Sequence, residues 1–230
     1  MSLSTHGNET AGKFNWRNAK RLNPPSRSSK SKLLVSIEDL RPTQMAVGMR
    51  AVVHKRRKLE TRAPKRKQLD KVLSCRPIPV IRGPGDHLYM VDNHHFGLAL
   101  WQAEIDSAYA VVLDDLSRLT PSEFWWRMEA EGRLYPYNET GRRVSPAKLP
   151  VSLNALRHDP YRDLAWQVRR DGGFAKADVP FAEFHWAGFF RAIIPPELAS
   201  RPDRRAIKLA KEVARSAAAA DLPGYLGARS

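Results

Sequence analysis

Two adjacent histidines, His94 and His95, follow Asp92 and Asn93 where an apolar run ending at Val91 gives way to Phe96, Leu98, Ala99 and Trp101 at helical spacing. A helix that begins there turns its unpaired N–H groups, and the positive end of its dipole, toward whatever lies in front of it. That arrangement suits an anion. Asp92 or Asn93 has the side chain to cap such a helix. Two histidines in the first turn are harder to account for by structure, because the dipole disfavours cationic imidazole there. Either they are held neutral or a bound phosphate charges them, and both states suit ligand contact or proton transfer. The plainer alternative makes one histidine a hydrogen-bonder of the core and the other a solvated side chain. A third makes Asp92, His94 and His95 ligands of a metal, but neighbouring helical side chains diverge by about 100°, unlike the i, i+4 histidines of a zinc protease.

Other residues carry chemistry of the same kind. Glu38 and Arg41 leave the first strand, and the planar fork of Arg41 suits phosphate. Thr43 and Gln44 follow it, able to bond a ligand or merely to brace a turn. Lys55 opens the cluster Lys55-Arg56-Arg57-Lys58, whose lack of interleaved aromatics speaks for phosphate contact over base stacking. His158 and Arg162 flank Asp159-Pro160, the expected start of a helix. Glu183 and His185 stand among Phe181, Phe184, Trp186, Phe189 and Phe190, which read as core. A glutamate in such surroundings needs a partner, and Arg191 or one of the paired histidines would serve.

The elements that must position these groups are legible in outline. Residues 33–40 read as a buried strand ended by Arg41-Pro42. Residues 45–62 and 68–74 read as helices. Runs 78–82 and 87–91 flank Gly83-Pro84-Gly85-Asp86, a hairpin signature. A helix over 94–104 and a strand over 108–116 follow. Thr120, Pro121 and Glu123 announce a capping box. Further helices are expected from Asp159-Pro160 to about 171, over 180–194 and over 202–219, with Gly172-Gly173 stopping the first. Strands mixed with helices, then helices alone, make an α+β chain with a helical C-terminal half. The expected division is a disordered basic arm over 1–31, a mixed domain over 32–132, a helical extension packed on it over 133–200, and a C-terminal helix and tail over 201–230.

The chain has 230 residues and a net charge of +15. Residues 1–32 and 49–71 together carry +14 of it, so the rest is close to neutral and the basicity belongs to two segments. Nucleic acid is the partner such segments suit, and a solvated tail and helix face the bland alternative. One cysteine, Cys75, excludes an internal disulfide framework and fits a reducing cytoplasm. No stretch approaches the roughly 20 apolar residues of a membrane span, and no apolar signal core opens the chain. A cytoplasmic protein without membrane contact is expected.

Strand, turn and strand followed by "VDNHHFGLAL" resemble the ParB/sulfiredoxin superfamily. Upstream "VSIEDLRPTQMAVGMRAVVHKRRKL", and downstream "LPVSLNALRHDPYRDLAWQVRRDGGF" and "PFAEFHWAGFFR", are similar to its ParB-like nuclease branch. The likeness spans roughly 33–194. It implies a small mixed sheet with helices, a nucleotide- or phosphate-binding junction, and nuclease or phosphoryl-transfer chemistry, with a nucleotide and Mg²⁺ as the cofactor to test. Reading the residues with this likeness, Asp92, His94 and His95 are expected to be catalytic and Asn93, Arg41, Thr43, Gln44 and Lys55 to bind phosphate, while by the likeness alone Glu38 matches a glutamate that serves as a base in a kinase branch. His158, Arg162, Glu183 and His185 are pocket candidates. The departures are specific. Sulfiredoxin carries its reactive cysteine where this chain has Asn93, so that chemistry is not expected. Partition ParB proteins carry arginines where His94 and His95 stand, and no helix-turn-helix follows here. The non-enzymatic alternative is a DNA-associated adaptor acting through the basic segments.

Overall fold

The computed structural model describes residues 31–62 and 65–227, so the arm expected over 1–31 lies outside the described residues but for Ser31. Seven strands are described: β1 (Leu33–Ser36), β2 (Leu40–Pro42), β3 (Ala46–Val47), β4 (Ile78–Arg82), β5 (Leu88–Met90), β6 (Ser107–Asp115) and β7 (Arg157–His158). The helices are α1 (Met49–Glu60), α2 (Arg66–Cys75), α3 (His94–Gln102), α4 (Pro121–Ala130), α5 (Pro160–Arg170), α6 (Ala182–Ile193), α7 (Pro196–Ser200) and α8 (Arg204–Arg215). The fold is α+β, with a mixed sheet followed by a helical half.

Five strands form one sheet in the order β1-β6-β4-β5-β2. Pairing is antiparallel for β1–β6 and β4–β5 and parallel for β4–β6 and β2–β5. Only residues 37–39 separate β1 from β2, which stand at opposite ends of that order. In a flat sheet the two ends would lie about 19 Å apart. The link reaches at most about 14 Å. The sheet must therefore curl, and the expected single strand over 33–40 breaks at Ile37. β1 itself is an exposed edge, with Leu34 65% accessible, not a buried strand.

Alternation along the strands sorts the two faces. Val80 and Met90 turn toward α1, α2 and α3 and join Val52, Leu73, Phe96, Leu98 and Leu100. Ile81 and Tyr89 turn the other way and pack with Phe124 and Met128 of α4. The capping box is complete: Thr120 accepts from Glu123 N, and Glu123 accepts from Thr120 N. A second core joins α5, α6 and α8 through Leu164, Val168, Trp186, Phe190, Ala210 and Ala214.

The helix expected over 45–62 begins four residues later. Residues 46–47 pair instead with β7, where Arg157 N donates to Met45 O and Asp159 N to Val47 O. Gly48 allows the chain to pass α5 closely. A Cβ there would meet Asp163 Oδ1 at 2.6 Å and backbone atoms of 162–163 at 3.0–3.1 Å. Asp163 completes the joint by accepting from Arg50 N at 2.8 Å in the first turn of α1. The two cores are thereby locked together, and a cleft lies between them.

Candidate functional site

The strand-to-helix junction forms one wall of that cleft. Asn93 adopts a left-handed conformation (φ 66°), and its N–H donates to Asp92 Oδ1 at 2.6 Å. Its side chain reaches Pro77 O, and neither it nor Asp92 caps α3. The expected side-chain cap is absent because both carboxylate and amide are used in building the turn. Phe96 N and Gly97 N donate to Asn93 O, which leaves the N–H groups of His94 and His95 as the unbonded donors at the start of α3 among the described residues.

The histidine pair has structural duties here. His94 is 6% accessible, and its Nε2 accepts from Thr43 N at 3.1 Å. Thr43 Oγ1 donates to Met90 O. Burial, with Arg162 beside it, pushes the His94 pKa down to about 3, against a hydrogen bond that Met90 O accepts from the ring. His95 Nε2 accepts from Gly48 N at 3.3 Å, and burial followed by Arg162 and Lys55 holds its pKa well below the usual imidazole value. Both rings are thus neutral, with the remaining proton on Nδ1. Both pin the 43–48 loop to α3. Their Nε2 atoms face those two backbone N–H groups instead of a shared ion. Among the described residues no group of three His, Cys, Asp or Glu side chains could hold a metal.

The opposite wall supplies charge. Arg162, in the first turn of α5, is 4% accessible. Its guanidinium lies 3.3 Å from the centroid of the Phe184 ring. Its Nε and Nη1 are buried without a hydrogen-bond partner among the described residues, and so is Gln44 Nε2. All three donors belong to residues lining the same cleft, about 450 Å³ in volume, with Lys55, Asp92, Asn93, His94, His95, Trp166, Arg169 and Glu183. Burial lowers the pKa of Arg162, against the fields of Glu183 and Asp159. Lys55 is lowered by burial and by Arg76, against Glu183 and Asp92. Glu183 pairs with Arg169 Nε at 2.7 Å. Buried donors of this kind can take a hydrogen-bond acceptor that enters the cleft.

The remaining sequence candidates lie elsewhere, and strand alternation explains one of them. Leu40 and Pro42 face the core, so Arg41 points to the other side of the sheet, 5.9 Å over the Tyr89 ring. Glu38 is exposed on the turn after β1, its N–H bonded to Ser36 Oγ. His158 is exposed on β7, 3.8 Å from Asp163. His185 lies on α6 outside the cleft lining, with its pKa lowered to about 4 by burial. Thr43 is buried one layer behind, as the partner of His94. Sequence reasoning missed Trp166 and Arg169 of α5 and residues 174–182, which close one side of the cleft. The only pointer to that strap was Gly172-Gly173, read merely as a helix stop. A larger groove, about 550 Å³, runs along α8 past Arg204, Lys208 and Lys211. No side chain lining it is buried.

Comparison with known proteins agrees with this architecture. A family model described as "Putative ParB-like nuclease" matches residues 33–192. No curated protein matches. The crystal structure of protein Atu1540 from Agrobacterium tumefaciens is similar, with a TM-score of 0.78 and 34% identity over 86% of this chain and 99% of that one.

Proposed function

The chain belongs to the ParB-like nuclease family, and from that footing we propose that its cleft binds the phosphate of a nucleotide or nucleic acid and that it acts on phosphoesters. One observation carries the reading: Arg162 Nε and Nη1 and Gln44 Nε2, on residues lining one cleft, are buried donors without a hydrogen-bond partner among the described residues. The first turn of α3 faces them, and Lys55 stands beside it. A phosphate placed there would receive charge-assisted bonds from the guanidinium and backbone N–H bonds from the helix. The same donors would offset charge that develops on phosphoryl oxygens during transfer. Both histidine Nε2 atoms already accept from backbone, so Glu183 and Asp92 are the proton acceptors open to the cleft. These two carboxylates are also where Mg²⁺ carried by a nucleotide would make contact. His94 and His95 act by positioning the loop that carries Gln44.

The test is thermal shift with inorganic phosphate, ATP, ADP and CTP, each with and without Mg²⁺, on the parent chain and Arg162→Met. A ligand-dependent rise in Tm that the variant loses is expected. An unchanged shift in the variant, or no shift with any ligand, would overturn the reading. The adaptor alternative predicts instead that DNA binding is indifferent to Arg162→Met.

A further inference from the structure

A cleft that takes phosphate says nothing of what the phosphate is attached to, but the surface leading to this one does. Lys55 sits at its mouth, on α1. Lys58 follows at i+3 on the same side of the helix, and Arg62 lies in the turn just past its C-terminus, both exposed. Arg76, after α2, acts electrostatically on the same Lys55. Neither Lys58 nor Arg62 has a carboxylate within ion-pair distance among the described residues, whereas Arg56 on the neighbouring flank pairs with Glu60. Arg62 Nη1 donates to Lys58 O at 3.4 Å, and neither charge is neutralised by a carboxylate among the described residues.

The cleft's shape limits what these cations can deliver. Its floor consists of buried groups, Gln44, His94 and Arg162. One side is closed by residues 174–182, tied down by Ala175 N to Gly224 O at 2.8 Å and, beyond, by the Glu183–Arg169 pair. At about 450 Å³ the cleft has the size of a small-molecule site, room for one nucleotide. A strand that enters must stop at the floor. We propose that the ligand of this cleft is the phosphorylated end of a single nucleic-acid strand, seated against Arg162 and Gln44, with the strand trailing over Lys55, Lys58 and Arg62. This rests on the phosphate reading above and adds the substrate class: an end, single-stranded, not an internal phosphate of a duplex.

The experiment is fluorescence anisotropy with one short oligonucleotide sequence, in DNA and RNA versions, prepared with a 5′-phosphate, with a 3′-phosphate, with hydroxyl ends, as a covalent circle and as a blunt duplex. One phosphorylated linear form is expected to bind at least roughly tenfold tighter than the hydroxyl-ended, circular and duplex forms, since only it offers the charge-assisted contact. Lys58→Ala/Arg62→Ala should lower the slope of log affinity against log salt by about 1.4, two single-strand phosphate contacts, and leave the mononucleotide thermal shift intact. Equal affinity for circle and linear strand, or no change in slope, would overturn the proposal. If that happens while mononucleotides still shift the parent chain and not Arg162→Met, the phosphate reading survives alone. If mononucleotides and phosphate produce no shift either, both readings fall.

Discussion

Thr43 N lies 3.1 Å from His94 Nε2 and donates to it, across 51 residues of sequence. His95 makes the corresponding bond with Gly48 N at 3.3 Å. Two neighbouring imidazoles thus hold both ends of the loop that carries Gln44 to the cleft. Protonating either ring would set a cation against a backbone N–H.

That geometry predicts acid sensitivity. His94 has a native pKa of about 3 against an ordinary 6.5, and His95 and His185 shift the same way. Between the native and unfolded values the unfolded chain binds more protons, so stability is complete above about pH 6.5 and declines as pH falls toward 3. Each ring contributes a slope of up to about 1.4 kcal/mol per pH unit. Urea midpoints measured from pH 7.5 to 4.5 should fall steadily, and His94→Gln should flatten the decline.

Arg162→Met should separate stability from function. Met gives up the contact with Phe184 but no hydrogen bond of Nε or Nη1, and it relieves the cost of burying the charge. The ligand-free Tm should therefore hold or rise while ligand-induced shifts vanish. A marked drop in the ligand-free Tm would make Arg162 a structural residue.

Gly48→Ala should weaken the joint between the two cores. The φ of Gly48, −76°, suits any residue, so the obstacle is space: Asp163 and the 162–163 backbone stand where the Cβ would go. Overpacking of this kind costs about 1–3 kcal/mol. Denaturant unfolding would measure it, and ligand binding should weaken too, because α1 carries Lys55 and α5 carries Arg162.

Asp159→Ala should cost more than a lost cap. Asp159 accepts from Tyr161 N at 2.9 Å and pairs with Arg191 Nη2 at 2.6 Å while 5% accessible. Removing it leaves the Arg191 guanidinium with Glu139 O and the Tyr161 ring but no carboxylate, for a loss of about 2–4 kcal/mol, the cap included. Arg191→Met in the same background should recover part of it, which a double-mutant cycle would quantify.

Asn93→Gly should be close to neutral, and Asn93→Ala should cost about 1 kcal/mol, because the turn into α3 needs φ of +66°. Thermal melts of the two variants decide it.

Local chemistry made most of the fold legible in the sequence. The Gly83–Asp86 turn sets the hairpin, Thr120 and Glu123 start α4, and Asp159-Pro160 starts α5, each signal acting within a few residues of its effect. The sequence also marked His94 and His95 as unusual, and it brought Gln44, Lys55, Asn93, Arg162 and Glu183 into consideration. It could not say which of these meet. That Arg41 turns away, that residues 33–40 break so the sheet can curl, and that residues 46–47 join β7 instead of α1 depend on partners tens of residues distant. The role of the histidines changed for the same reason. A helix start favours an anion on local grounds, but whether a nearby ring takes a proton or a backbone N–H depends on what the folded chain places against it. Only the tertiary structure put Thr43 and Gly48 there and left Arg162 unpaired across the cleft.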